Sequence, residues 1–369
     1  MTQPAIKTEN ATVYLGNNLQ ILPTLPNNSV DSIVTDPPYE LGFMGKSWDA
    51  SGIAYSVELW QECLRVLKPG GHLLAFSGSR TYHRMVVAIE DAGFEIRDMV
   101  SWISNKTFPK SLNISKAIDK KLGANRKVVG INPNVVRAAK IAGGSDFGGF
   151  TKANAEITIS ATEEAKKWEG WGTALKPTVE PIVLARKPIE STIAENVLKY
   201  GTGAMNIDAS RIGTETITIN TFDNGAKPFG NAVGEPFTSR ESVGRWPANI
   251  VIDQEALENL NQTLPKADRY FYVARANQQD RNEGLQNANK HPTVKPTSLM
   301  RYLIKLVTPE GGTVLDPFTG SGSTGKAAIL DEYKFVGIEL TAEYLPIIAG
   351  RLQHAEQTKQ TEKEDDLFS

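Results

Sequence analysis

Short apolar runs and stretches of helical period alternate along the first hundred or so residues. ATVYLG (11–16) and DSIVT (31–35) have the length and β-branched content of strands. Between them, NNLQILPTLP (17–26) predicts a short helix. Val57, Trp60, Leu64 and Leu67 then recur at helical spacing, since positions three and four apart share a helix face. Lys68-Pro69-Gly70-Gly71 ends that helix. HLLAFS (72–77) reads as a buried strand, 81–92 as a helix ending before Gly93, and FEIRDMVSWIS (94–104) as a strand. Strands and helices in turn predict a parallel α/β sheet covered on both faces.

The alternation fails in the middle of the chain. Residues 105–180 mix basic helical pieces with the Gly-rich AGGSDFGGF, and 201–247, dense in Gly, Thr, Asn and Pro with little periodicity, read as a loop-rich insertion or an extra small subdomain. It resumes with GGTVLDPF (strand), GSTGKAAILDE (helix), KFVGIEL (strand) and AEYLPIIAGRLQHAE (closing helix). The charged QTKQTEKEDDLFS predicts a disordered tail. Neither end block has enough strands for its own sheet. The simplest economy is one mostly parallel sheet built from 1–104 and 290–355, with 105–289 projecting as an insert and 356–369 as the tail.

Composition sharpens this in two ways. The chain has 369 residues, 40% of them hydrophobic, enough for a sizeable core. Net charge is −2, yet residues 101–187 carry 15 Lys/Arg against 7 Asp/Glu, a net of +8 that leaves −10 elsewhere. A basic segment on a mildly acidic protein suits a polyanion met on one face; a solvated Lys-rich surface is the alternative. Lys106, Lys110 and Lys116 are the candidate phosphate contacts. Trp168 and Trp171 could reach such a polyanion but read as core. Cys63 is the single cysteine and sits in an apolar helical pattern, so an internal disulfide is excluded and a reducing compartment fits. MTQPAIKTEN has no apolar signal core and no run approaches membrane-span length, which places the expectation in the cytoplasm. The histidines at 72, 83, 291 and 354 lack metal-ligand spacing, so no metal is expected, and His291 reads as a cap or packing residue.

Two stretches carry candidate chemistry. In LDPFTGSGSTG (315–325) a strand ends on Asp316, a Gly-rich turn follows, and a helix begins near Ser323. Gly320 and Gly322 allow backbone to approach a ligand, and the helix start offers N–H groups. FVGIEL then ends a strand on Glu339, where a nucleotide's ribose diol is bonded in α/β units. The Asp-Pro-Phe opening disfavours nicotinamide cofactors, and no G-x-x-x-x-G-K-[ST] run is present. The other stretch is IVTDPPYELG (33–42). Pro37 and Pro38 lock φ and remove N–H donors, so the Asp36 carboxylate and Pro37 carbonyl become adjacent acceptors suited to an NH2 group. Tyr39 adds a π-face, worth about 1–3 kcal/mol to a stacked base. The plain alternative is an Asx-type turn with Tyr39 in the core.

TDPPY together with DPFTGSGST resembles the amino-directed DNA methyltransferases, which use S-adenosylmethionine to methylate adenine N6 or cytosine N4. The order, catalytic segment before cofactor segment, is similar to the circularly permuted group called the beta class. WISNKTFPKSLNISKAID, EPIVLARKP, GRWPANIVID and RYFYVARA are similar to stretches in phage and prophage members. The resemblance implies a Rossmann-like fold with the target-recognition region inserted in its middle. It implies that Asp36, Pro37, Pro38 and Tyr39 form the catalytic run, in which Asp36 and the Pro37 carbonyl hold the target amine and Tyr39 stacks on a base flipped from double-stranded DNA. Asp316, Phe318, Gly320 and Gly322 would form the cofactor pocket and Glu339 would bind the ribose hydroxyls. NKHPTVKP resembles the motif closing over the cofactor's amino-acid end, which places Thr293 and Lys295 there. Asn17 stands where many relatives carry an Asp that contacts the cofactor's adenine.

Asp36 favours adenine, because N4-cytosine enzymes more often carry Ser there. A protein glutamine methyltransferase, whose motif usually begins with Asn, and an inactive DNA-binding relative are the other readings weighed. The resemblance leaves room for a homodimer and for a cognate restriction endonuclease.

Overall fold

The computed structural model describes residues 3–42, 47–105, 111–133, 155–221, 238–275 and 278–367. Its strands are β1 (Ile6–Lys7), β2 (Ala11–Leu15), β3 (Val30–Thr35), β4 (Leu67–Phe76), β5 (Glu95–Ile103), β6 (Lys127–Ile131), β7 (Glu156–Ile159), β8 (Val179–Arg186), β9 (Ile212–Thr221), β10 (Thr238–Arg245), β11 (Ile250–Asp253), β12 (Tyr272–Ala274), β13 (Thr313–Asp316) and β14 (Lys334–Glu339). The chain divides into one unit of Met1–Asn105 with Val179–Ser369 and a second of Lys106–Thr178.

The first unit holds a ten-stranded sheet in the order β1-β2-β14-β13-β3-β4-β8-β5-β11-β12. From β2 to β4 neighbours run parallel, as they do from β5 to β12. β8 runs antiparallel between β4 and β5. Strands from both chain ends meet in the centre, where Val314 pairs with Ser32 and Leu315 with Ile33. This is the mostly parallel, Rossmann-like arrangement. Alternate side chains feed separate cores: Val34, Leu74, Phe76 and Val314 belong to one, and Ile33, Leu73, Ala75 and Leu315 to the other. Burial on both faces is why these strands read as continuous apolar runs rather than strict alternations.

Three differences from the sequence reading stand out. The segment 105–289 is not wholly an insert, because β8, β11 and β12 lie in the main sheet. IVLA within β8 is buried on both faces, and so short an apolar run gives no period by which to separate strand from loop. The stretch 201–247 contains the antiparallel ribbon of β9 and β10, and the Thr- and Ile-rich sequence of β9 is itself β-prone. Finally, the charged tail continues a helix, Leu345–Leu367, rather than leaving it. Lys359 pairs with Glu332 at 3.0 Å and Glu356 accepts from Asn10 and Thr8, so its first turns are tied to the body.

The second unit has helix Ile114–Lys121, the β6–β7 ribbon and helix Glu163–Lys167. Asp119 joins them: its carboxylate accepts from the Thr162 hydroxyl, two backbone N–H groups and Arg126. Hydrogen bonds from those groups hold its pKa down against the burial that would raise it. Trp168 and Trp171 are 45% and 60% exposed and meet edge-to-face with ring centroids 5.1 Å apart. They are not core, contrary to the sequence reading, since so small a unit has little interior to offer large rings.

Gly320, Gly322 and Gly325 have G-x-G-x-x-G spacing, so the Asp-Pro-Phe opening alone sets this turn apart from a dinucleotide loop. The third glycine lets helix Ser323–Leu330 lie against β14: a Cβ at Gly325 would sit 2.7 Å from Phe335 ring atoms and from a Leu352 methyl. Gly325→Ala is expected to destabilise the fold by about 1–3 kcal/mol through overpacking, read as a lower urea midpoint with an unchanged slope.

Candidate active site

β13 and β3 are parallel neighbours, and each ends at the rim on a carboxylate-bearing turn. From β13 the chain moves through helix Ser323–Leu330 to β14; from β3 it moves the other way to β4. Such a reversal opens a crevice beyond the strand ends, where α/β proteins bind ligands. Asp36 and the Gly-rich turn both stand there, although 281 positions separate Thr35 from Asp316.

A bridge across the two strands fixes the turn. The Thr35 hydroxyl donates to Asp316 Oδ1 at 2.6 Å, the Phe318 N–H reaches the same oxygen at 3.0 Å, and the Thr324 hydroxyl donates to Oδ2 at 2.6 Å. Asp316 is buried, and that burial pushes its carboxyl up to about 6 despite these donors. Its side chain thus orders the turn from within. Glu339 does related work: Oε2 accepts the Gly320 N–H and Oε1 the Thr341 N–H, both at 2.7 Å. Burial raises its carboxyl, and those N–H groups oppose the rise. Gly320 and Gly322 have φ of +54° and +76°, the left-handed region that suits glycine. A side chain at Gly320 would come within 3.1 Å of His291 Nε2. Burial first, then Arg281 and Lys295, lower His291 to about 4, so its ring is neutral at pH 7.

Across the crevice, four polar side chains from three chain segments meet. The Lys295 ammonium lies 2.8 Å from Asp36 Oδ2, 3.2 Å from Glu180 Oε2 and 3.0 Å from the Tyr39 hydroxyl. The Tyr39 hydroxyl donates to Glu180 Oε2 at 2.6 Å. Rings of Phe76, Tyr39 and Trp102 surround the ammonium at 4.8, 5.2 and 5.9 Å. Burial alone would lower the Lys295 pKa, but the Asp36 and Glu180 carboxylates outweigh it and hold the ammonium protonated. Burial likewise raises Asp36, with Lys295 opposing. Burial and then the two carboxylates push the Tyr39 phenol well above its usual range. Asp36 Oδ1 is buried and has no hydrogen-bond partner among the described residues, an unusual state for a carboxylate oxygen.

The backbone here is also constrained. Thr81 donates to the Tyr39 carbonyl at 2.8 Å, and Glu40 adopts φ +55° while accepting from the Gly52 N–H at 2.7 Å. Tyr39 is half-buried, packed against one core.

The structure therefore brings Asp36, Pro37, Pro38, Tyr39, Asp316, Phe318, Gly320, Gly322 and Glu339 to one rim of the sheet. Lys295 joins Asp36 and Tyr39, while Thr293 is exposed. Asn17 is exposed and caps helix Asn18–Ile21, and its neighbour Asn18 is the one that reaches the Pro317 carbonyl, at 3.4 Å. Lys116 is exposed in the second unit, and Lys106 and Lys110 lie outside the described residues. Glu180, Thr35 and Thr324 were not singled out from sequence. The signal for Glu180 was a carboxylate opening an apolar strand, EPIVLAR, which is the same pattern in reverse as Asp36 closing one.

The N6_N4_Mtase family model, described as DNA methylase, matches residues 30–350, a span that includes both acidic turns. The chain belongs to this family of N6/N4 DNA methylases. It is 28% identical over 303 residues to the type II methyltransferase M.HindIII of Haemophilus influenzae, covering 80% of this chain and 68% of that protein. A shorter stretch of 65 residues is 45% identical to the DNA adenine methyltransferase YhdJ of Escherichia coli, covering 18% of this chain and 22% of YhdJ, well under two thirds of its length. Among solved structures, the cytosine-N4-specific PvuII DNA methyltransferase superposes with a TM-score of 0.49 at 14% identity, covering 95% of this chain and 89% of that one. No described helix is long and apolar enough to cross a membrane.

Replacing Thr35 by Val keeps its shape and removes one donor to Asp316. Because the folded-state pKa of Asp316 is raised, its contribution to stability is full below the unfolded value of 3.8 and falls as pH rises towards about 6. Losing a donor extends that fall. Thr35→Val is expected to cost about 1–3 kcal/mol at pH 7.5 and less at pH 4.5, measured by urea denaturation at both values.

Proposed function

We propose that the protein transfers a methyl group from S-adenosylmethionine to the exocyclic N6 amine of an adenine flipped out of double-stranded DNA. The observation that carries this reading is the buried, unpartnered Asp36 Oδ1 beside a half-buried aromatic ring, at the same rim as a Gly-rich turn. An amine has two N–H donors and needs acceptors where water is excluded; Asp36 Oδ1 and the Pro37 carbonyl are the two assigned to it.

The residues present fit the methyl donor. Gly320 and Gly322 give the turn its left-handed backbone, and Glu339 keeps lone pairs for two ribose hydroxyls after accepting its backbone N–H groups. Phe318 lies in the same turn. When bound, S-adenosylmethionine supplies an electrophilic methyl group on a sulfonium. The protein's part is orientation and charge placement. An aromatic amine is a weak nucleophile because its lone pair is delocalised into the ring. Acceptors drawing on both protons in tetrahedral directions release that pair. Asp36, its carboxyl raised by burial, is placed to hold the proton that the methylated amine sheds. Stacking on Tyr39 offsets part of the cost of extrusion, a few kcal/mol.

Lys106, Lys110 and Lys116 are proposed to contact phosphates, and the basic region between the two acidic turns to carry target recognition. A homodimer and a cognate endonuclease stay compatible with this reading. Methylation of cytosine N4 is the second reading, since the same acceptors fit that amine; the Asp at position 36 favours adenine.

Asp36→Ala is expected to abolish transfer of labelled methyl groups to unmethylated genomic DNA while S-adenosylmethionine affinity, measured calorimetrically, stays within about threefold, as for an interaction made with the amine alone. Equal loss of both would count against the assigned role. Digestion of the labelled DNA to nucleosides is expected to yield N6-methyladenine; label in N4-methylcytosine would transfer the assignment to the second reading.

A further inference from the structure

Glu180 comes from neither acidic motif, yet it touches both side chains that share the cluster with Asp36. Its Oε2 takes the Tyr39 hydroxyl at 2.6 Å and the Lys295 ammonium at 3.2 Å. Lys295 in turn holds Asp36 Oδ2 at 2.8 Å. The ammonium has three N–H donors, and Asp36, Glu180 and Tyr39 match that number. Trp102, the cross-strand partner of Glu180, closes one side of the cage with its ring, as Phe76 does from β4. A long, flexible lysine so confined cannot swing away from Asp36 without breaking three contacts. One Asp36 oxygen is therefore committed, and the other, Oδ1, is without a partner.

We propose that Glu180 is a positioning residue for methyl transfer: through Lys295 and the Tyr39 hydroxyl it fixes the Asp36 carboxylate with Oδ1 left for the incoming amine and fixes the ring on which the base stacks. The inference rests on the methyltransferase reading given above. It assigns β8, the antiparallel strand, a part in the reaction. It also gives Lys295 a different role from the one the sequence resemblance implies, on the amine side of the site. Glu180 makes no contact with the reacting atoms. Without it, Lys295 and Tyr39 lose their common acceptor, and Asp36 is free to turn both oxygens away from a productive geometry.

The test compares wild type, Glu180→Ala, Glu180→Gln and Lys295→Met for labelled methyl transfer to unmethylated genomic DNA. Affinity for S-adenosylmethionine is measured by calorimetry and folding by urea denaturation. Glu180→Ala is expected to lower kcat by about 100-fold, the scale of a misplaced reacting group, with cofactor Kd within about threefold of wild type. Glu180→Gln keeps an acceptor oxygen and is expected to recover about tenfold of that loss, the size of one restored hydrogen bond. Should Glu180→Ala not fold, Lys295→Met, whose apolar chain suits the aromatic cage, is expected to show the same split of lost kcat and retained affinity. The inference is overturned if Glu180→Ala keeps kcat within about threefold, if Gln rescues nothing, if cofactor affinity falls as far as kcat, or if Lys295→Met retains wild-type turnover. Active wild type with an active Glu180→Ala defeats this inference alone; a wild type that labels no DNA defeats the methyltransferase reading with it.

Discussion

Parallel pairing of β3 with β13, locked by the Thr35–Asp316 hydrogen bond, is the constraint on which the site depends. Both partners of that bond are buried, so leaving either unmatched would cost about 1–3 kcal/mol. The register it enforces brings Asp36 and the Gly320 turn out at one edge. Slipping one strand by a single residue would turn every side chain to the opposite face and exchange the two cores. Chemistry at the rim is thus held in place by interior packing on both sides of the sheet, not by the loops alone.

Polar organisation at the rim follows two different rules. Asp316 is saturated by neighbours and serves the shape of the turn. Asp36 is left half-satisfied, with one oxygen bound and one orphaned. Buried groups of the first kind stabilise a fold; those of the second kind are a standing cost to it. The contrast between two aspartates on adjacent strands separates architecture from function more clearly than burial, since Asp316 is the more buried of the two.

Much of this was legible in the chain. The alternating elements of 11–104 and 313–356 and the two strand-terminal acids are local patterns, and local patterns survive in sequence. What was not legible depends on contacts between distant segments. Glu180 gains meaning only because β8 runs backwards between β4 and β5. Lys295 carries no mark in HPTVKP that says which side of the crevice its ammonium will occupy. Asn17 and Asn18 are adjacent and chemically identical, and only helix phase decides which one faces Pro317. The charged tail was read as disordered from composition, whereas Glu356 and Lys359 anchor its start to Asn10 and Glu332. Spacing encodes faces; it does not encode partners.

Strand β2, flanked on one side by the short β1, finds its other neighbour in β14, pairing Ala11 with Phe335 and Leu15 with Glu339. During synthesis on the ribosome, residues 11–15 therefore emerge long before the strand they must join. The nascent chain carries an unmatched apolar edge while the intervening segments are made, and the centre of the sheet assembles only after β13 has appeared. Folding of such high contact order is slow and exposes sticky intermediates, so competence for ligand binding waits on the meeting of distant segments rather than on any local element.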